Sequence, residues 1–171
     1  MNTEIELLSR LADLAGEHAK RVLVDLGQPL MPQWVLVDAR GGCDIVGTPW
    51  RDDQEKELTI ERLRNEMRKR KVKAYSLVIE AWTAVAPKGW KEGEPRMPNW
   101  QRPDRREVVI AFATDGKSIQ WRQWMIKRDW HDHVVALEPI PFEGDAKPSS
   151  WMSELLSSRS TQEPGRWSAG L

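Results

Sequence analysis

Few residues in this chain are of types and spacings that do chemistry. His131 and His133 lie two apart in Asp129-Trp130-His131-Asp132-His133. On a strand, alternate side chains share a face, so both imidazoles would point the same way. With Asp129, Asp132 or Glu138 as a third ligand they can hold a zinc-type ion. The plainer alternative is a pair of edge-strand or surface histidines, and the segment lacks the downstream Ser and Asp spacing of the metalloisopeptidase signature. Glu80 sits between Ile79 and Ala81 in an apolar stretch, where a carboxylate needs a partner before it can be covered. Arg105 or Arg106 is the expected partner. With Glu107, Glu80 can form an acid and base pair or a metal-binding pair; otherwise it makes a salt bridge that fixes strand register. The single cysteine, Cys43, has no histidine near it in sequence and reads as a packed strand residue unless the fold supplies a base. No phosphate-binding glycine loop, dinucleotide fingerprint, nucleophile elbow or paired-cysteine motif occurs, so no cofactor is expected.

The aromatic residues tell more. Ten are tryptophan, against one tyrosine and two phenylalanines. Trp34, Trp50, Trp90 and Trp100 follow Pro, Gly or a Pro-X pair. Trp serves cores and interfaces alike. Between Ala86 and Asp104 lie Pro87, Gly89, Gly93, Pro95, Pro98 and Pro103 around two tryptophans. A connection this long is usually functional or disordered. Trp90 and Trp100, with Arg96, Arg102 and Trp82, are therefore the candidate contact residues, because interface anchors favour Trp and Arg.

These residues have to be positioned by regular elements. Leu8, Leu11, Ala12, Ala15, Ala19, Val22 and Leu26 recur at helical spacing and predict a helix over residues 4–26, stopped by Gly27 and Pro29. Two short strands over 33–38 and 43–47 join through Ala39-Arg40-Gly41-Gly42 as a hairpin. A second helix is expected over 53–71, with Asp52 and Glu55 in capping-box spacing and Ile60, Leu63 and Met67 as its apolar stripe. Residues 73–85 alternate as a strand, placing Tyr75, Leu77 and Ile79 opposite Val78, Glu80 and Trp82. Residues 106–114 and 118–128 follow as a hairpin around Asp115-Gly116; residues 130–137 form a fourth strand or continue the third past a bulge. The resulting fold class is α+β: an N-terminal helix, then ββαβββ, with an antiparallel sheet packed on one helix face. Residues 1–28 form an N-terminal helix that packs on the domain or is linked to it, 29–142 a single α+β domain, and 143–171 a Ser/Pro/Gly-rich tail. Within that tail Trp151, Leu155 and Leu156 can make a short apolar helix that docks on the body or on a partner.

Charge narrows the partners. Twenty-six basic residues balance 26 acidic ones, so no global field draws in nucleic acid or anionic membrane. A local basic patch, Arg64, Arg68, Lys69, Arg70 and Lys71, crowds the end of the second helix. It complements the helix dipole, or it binds nucleic acid. No stretch has the length and apolarity of a membrane span, and the acidic start is unlike a signal peptide. A cytoplasmic protein without a membrane role is expected.

Pro32-X-Trp34, Thr48-Pro49-Trp50 with Glu55-Lys56, Ala74-Tyr75, Glu80-Ala81-Trp82 and Pro103-Asp104-Arg105-Arg106-Glu107 resemble a group of small uncharacterised proteins from phages, prophages and bacteria. The resemblance spans about residues 31–114. A serine often precedes Glu-Ala-Trp in that group, where this chain has Ile79. The resemblance implies a phage or mobile-element accessory protein and carries over no catalytic residue. The leading expectation is a non-catalytic protein that binds an unidentified protein partner through the Trp90 to Trp100 loop. The alternatives are a hydrolase using Glu80 with His131 and His133, and a nucleic-acid-binding protein using the basic helix end.

Overall fold

The computed structural model describes residues 3–83, 101–141 and 155–156. Helix α1 spans Thr3–Lys20 and runs into a π-helical turn at Arg21–Asp25. Strands β1 (Gln33–Asp38) and β2 (Cys43–Gly47), helix α2 (Asp53–Arg70), and strands β3 (Val72–Thr83), β4 (Arg106–Thr114), β5 (Ile119–Arg128) and β6 (Val134–Pro139) follow. The strands form one antiparallel sheet in the order β2-β1-β3-β4-β5-β6. This is the α+β arrangement that the apolar periodicities demand.

Local chemistry sets the element ends. The Asp38 carboxylate accepts the N–H groups of Arg40 and Gly42, each at 2.8 Å, and Gly41 takes the positive φ that closes the β1–β2 turn. Asp52 caps α2 by accepting the Glu55 N–H at 2.8 Å. Glu55 accepts the Arg51 N–H at 2.7 Å instead of closing a reciprocal box. At the other end Lys71 adopts the left-handed conformation and its N–H returns to the carbonyls of Met67 and Arg68. Between β4 and β5, Gly116 has φ of 85° and donates to the Thr114 hydroxyl, which donates in turn to the Ser118 carbonyl.

The sheet is covered on both faces: the second helix packs on one, as expected, and the first, expected to pack on the domain or be linked to it, packs on the other. On one face Leu63 and Met67 of α2 pack on Trp34, Leu36, Tyr75, Leu77, Ile79 and Phe112. On the other, Leu8, Leu11, Ala12, Ala15 and Ala19 of α1 and Leu23 of the π turn meet Val37, Ala74, Val78, Val109, Ala111, Ala113 and Ile126. The reason is visible in β3, where six consecutive residues, Ala74 to Ile79, are buried. A strand apolar on both sides needs cover on both sides. Small side chains (Ala74, Ser76, Ala111, Ala113) face α1 and large ones (Tyr75, Leu77, Phe112) face α2, so α1 can lie close to the sheet.

Two expectations change in detail. The first helix is not α-helical to residue 26: the Leu26 N–H bonds to the Arg21 carbonyl at 3.0 Å, an i→i−5 closure. The wider turn shifts the helical phase. Leu23 becomes the fully buried residue while Leu26 is 58% exposed. In addition, Leu155 of the tail is fully buried in the α2-side core, with Leu156 packed beside it. That part of the tail docks on the body.

Candidate functional site

Beyond the reach of α1, its face of the sheet ends in a polar cluster. Alternation along β3 puts Glu80 and Trp82 on the same face as Ala74 and Val78; the register Trp82↔Glu107 puts Glu107 there too. Arg128 closes the group from β5. Its Nε and Nη2 each donate to the Glu107 carboxylate at 2.8 Å, and its Nη1 donates to the Asp132 carbonyl at 2.9 Å. The carboxylate beside it holds the Arg128 guanidinium above its ordinary pKa.

Glu80 is half-buried, and its Oε1 accepts the Leu30 N–H at 2.8 Å. That bond ties the α1–β1 connection to the sheet. The expected cation, Arg105 or Arg106, is not its partner: the Arg105 guanidinium lies 5.0 Å from the Trp82 ring centre, a cation–π geometry. The Glu80 charge adds, after those of Glu107 and Asp132, to the field that holds Arg128 above its ordinary pKa. The Glu80–Glu107 pair shares a face, but Glu107 is spent on Arg128.

The segment with the two histidines is a turn and not a strand. Asp129 Oδ1 accepts the N–H groups of both His131 and His133 at 2.9 Å, and Asp132 takes a φ of 68°. The two imidazole ring centres are 5.9 Å apart. Asp129 is held below the usual carboxylate range, first by the His133 N–H and also by that of His131. It acts as the cap of the turn. Among the described residues no group of three or more His, Cys, Asp or Glu side chains is placed to hold a metal ion.

A cleft of about 550 Å³ opens at this end of the molecule. Its walls are the π turn, the Leu26 to Pro29 connection, Glu80, Arg128, Asp132, His133 and Val134. Glu80 and His133 thus meet on one cleft, and His131 does not line it. At the same end of the sheet, Trp82 is 40% exposed and Trp130, in the β5–β6 turn, is 86% exposed. The connection carrying Trp90 and Trp100 leaves β3 and returns to β4 at this same end. Trp90, Arg96 and Trp100 lie outside the described residues. Arg102 is largely covered and is clamped on Asp104 through bonds of 2.8 and 2.6 Å, which pull the Asp104 carboxyl below its usual range.

The basic patch is elsewhere and partly engaged. Arg70 pairs with Asp44 and Glu66, and Lys69 pairs with Glu66 at 3.4 Å. Arg64 is half-buried, while Arg68 and Lys71 are exposed. Cys43 is exposed on the edge strand β2, contrary to its expected packing. Sequence reasoning missed Arg128, Trp130 and Asp25. Their roles depend on contacts between distant positions; for Trp130, the flanking acids and histidines were the one local sign of an exposed turn. Among the described residues, no helix is long and apolar enough to cross a membrane.

Compared with models of protein families, with curated proteins and with solved structures, the chain matches none.

Proposed function

We propose that this chain is a non-catalytic binding protein that engages a protein partner with the end of the sheet where residues 84–100 leave β3 and rejoin β4. The exposure of Trp130 and Trp82 at one end of the sheet carries this reading. The exposed part of each indole is apolar surface left in water, and burying it against a partner is favourable. Arg105 over Trp82 adds a second residue type typical of interface anchors. The resemblance over residues 31–114 supports a phage or mobile-element context for this binding. The basic end of α2 supports nucleic-acid binding less well, since Lys69 and Arg70 already have acidic partners.

One alternative keeps a specific support. Glu80 and His133 border the same cleft, an arrangement open to acid–base hydrolysis. Against it, Glu80 anchors Leu30, and the His133 side chain is 77% exposed.

Affinity capture from a bacterial lysate, with and without nuclease, tests the binding reading. The wild type should retain a defined polypeptide in both arms. Trp82→Ala with Trp130→Ala, and Trp90→Ala with Trp100→Ala, should each lose it while keeping the wild-type circular dichroism spectrum. Retention by both variants would count against the reading, and loss on nuclease treatment would favour nucleic acid.

A further inference from the structure

The sheet ends in two edge strands, β2 and β6, and they are built differently. An edge offers N–H and C=O groups that another strand can pair with, and chains guard it with proline, charge and bulges. The β6 edge carries such guards: its strand ends in Glu138-Pro139, Glu138 is paired with Lys127, and its register with β5 breaks between Lys127 and Arg128. The β2 edge, Cys43-Asp44-Ile45-Val46-Gly47, has no proline, no lysine and no register break. Its one charged side chain, Asp44, is paired with Arg70 of α2.

The ladder to β1 fixes which groups of β2 point outward. At its two ends the Asp38 N–H donates to the Gly42 carbonyl and the Thr48 N–H to the Pro32 carbonyl, both at 2.9 Å. In an antiparallel pair the bonded positions alternate. Asp44 and Val46 are therefore bonded to Leu36 and Trp34, whereas the N–H and C=O groups of Cys43, Ile45 and Gly47 face away from β1. Among the described residues no hydrogen bond reaches them. The side chains flanking this edge are apolar: Ile45, 67% exposed, lies on the α1 face beside Val35, and Met31, 49% exposed, lies against Gly47.

This edge is complementary to itself. When β2 meets a two-fold copy with Ile45 on the axis, Ile45 stands opposite its own equivalent and Cys43 opposite Gly47, and these pairs exchange their outward backbone bonds. Asp44 then stands opposite Val46, so no like charges meet. A register centred on Asp44 would set two carboxylates against each other in the close, non-hydrogen-bonded position, which is destabilising. One centred on Val46 would set Cys43 against Pro49, which has no N–H to give.

We propose that β2 pairs antiparallel with β2 of a second copy of this chain, about a two-fold axis at Ile45, to form one continuous sheet. The β5–β6 turn with Trp130 lies toward the opposite edge, so the pairing stands apart from the binding reading above. A dimer of this kind carries that surface twice and gains from both copies on a multivalent partner.

The experiment is sedimentation equilibrium of the full chain with reductant present. The wild type should form a dimer that dissociates on dilution. Ile45→Lys puts a charge opposite its own copy and should weaken the dimer by about tenfold or more. Ile45→Pro removes an N–H that β1 does not use, and should do the same with an unchanged circular dichroism spectrum. If the proline variant loses structure, the lysine variant decides. Val135→Lys, at an exposed position on β6, should dimerise like the wild type. Oxidation reads the register: in a Cys43→Ser background, Ile45→Cys should give a covalent dimer, because Cα atoms paired in this way stand about 5.5 Å apart, within disulfide reach. Val135→Cys in the same background should not. A wild type that stays monomeric up to about 1 mM overturns the proposal, and so does a dimer that persists unchanged in Ile45→Lys and Ile45→Pro. Faster cross-linking by Asp44→Cys than by Ile45→Cys, each with Cys43→Ser, overturns the register.

Discussion

Arg128 and Glu107 meet through two parallel N–H···O bonds, Nε to Oε2 and Nη2 to Oε1, both of 2.8 Å, on the α1 face of the sheet beyond the reach of that helix. Fork-on-carboxylate geometry holds both partners in one orientation. The pair joins β5 to β4 and keeps Arg128 from serving as a free cation in the adjacent cleft. Both side chains are less than a third exposed, so the pair is worth more than a fully solvated ion pair. A double-mutant cycle with Arg128→Met and Glu107→Gln, followed by urea unfolding, should give a coupling of about 1–2 kcal/mol. A coupling near zero would mean that the two strands do not depend on this contact.

Asp129 governs the turn that presents Trp130. Its carboxyl is held below the ordinary aspartate range, first by the His133 N–H and also by that of His131. For a carboxyl depressed in the fold, the stabilisation is complete above the unfolded pKa and is lost as the pH falls through the folded one. The backbone amide resonances of His131 and His133 should therefore titrate together, with a midpoint below that of an unperturbed aspartate. Asp129→Asn should abolish that titration. A midpoint at or above the ordinary value would contradict the capping role.

Local signals read well where local chemistry decides. The bounds of β1 and β2 follow from the Asp38 to Gly42 turn, those of α2 from Asp52 and Lys71, and the turn after β4 from Asp115-Gly116. Alternation assigned Glu80 and Trp82 correctly to the face opposite Tyr75 and Leu77. What a chain does not print is which distant groups meet. Glu80 is bonded to an N–H 50 positions earlier and Arg128 to a carboxylate 21 positions earlier, and neither spacing has a local signature. The π turn escaped notice because Val22, Leu23 and Leu26 fit an α-helical stripe equally well, and only packing on Val78 and Ile126 selects Leu23. The histidine pair lies at the surface, one of the two plainer readings, but in a turn: His-X-His on a strand and in a capped turn look alike until Asp129 is seen to take both N–H groups.

Leu155 links the tail to stability. It is 1% exposed in the cluster that contains Tyr75, Leu77 and Phe112, so it fills space that α2 leaves over that face. Leu155→Ala should cost about 2–4 kcal/mol in urea unfolding. Leu156→Ala, at a partly buried position, should cost less. Equal and negligible effects would show that the tail is not part of the core.

Gly16 of α1 offers the sharpest test of the packing between helix and sheet. A Cβ built at this position would stand 2.2 Å from the Trp124 indole on β5, closer than real carbon contacts allow. In a helix free of such a neighbour, Gly→Ala stabilises by about 1 kcal/mol, because alanine loses less backbone entropy on folding. Here the methyl must displace either a large ring or the helix, and overpacking of this kind costs about 1–3 kcal/mol. The sign of the result therefore reports the contact. Gly16→Ala should lower the melting temperature, whereas Gly16→Ala combined with Trp124→Leu should recover part of the loss by removing the ring. A more stable Gly16→Ala would mean that α1 does not lie on Trp124, and the exposed end of the sheet, with Glu80 and its cleft, would have to be redrawn with it.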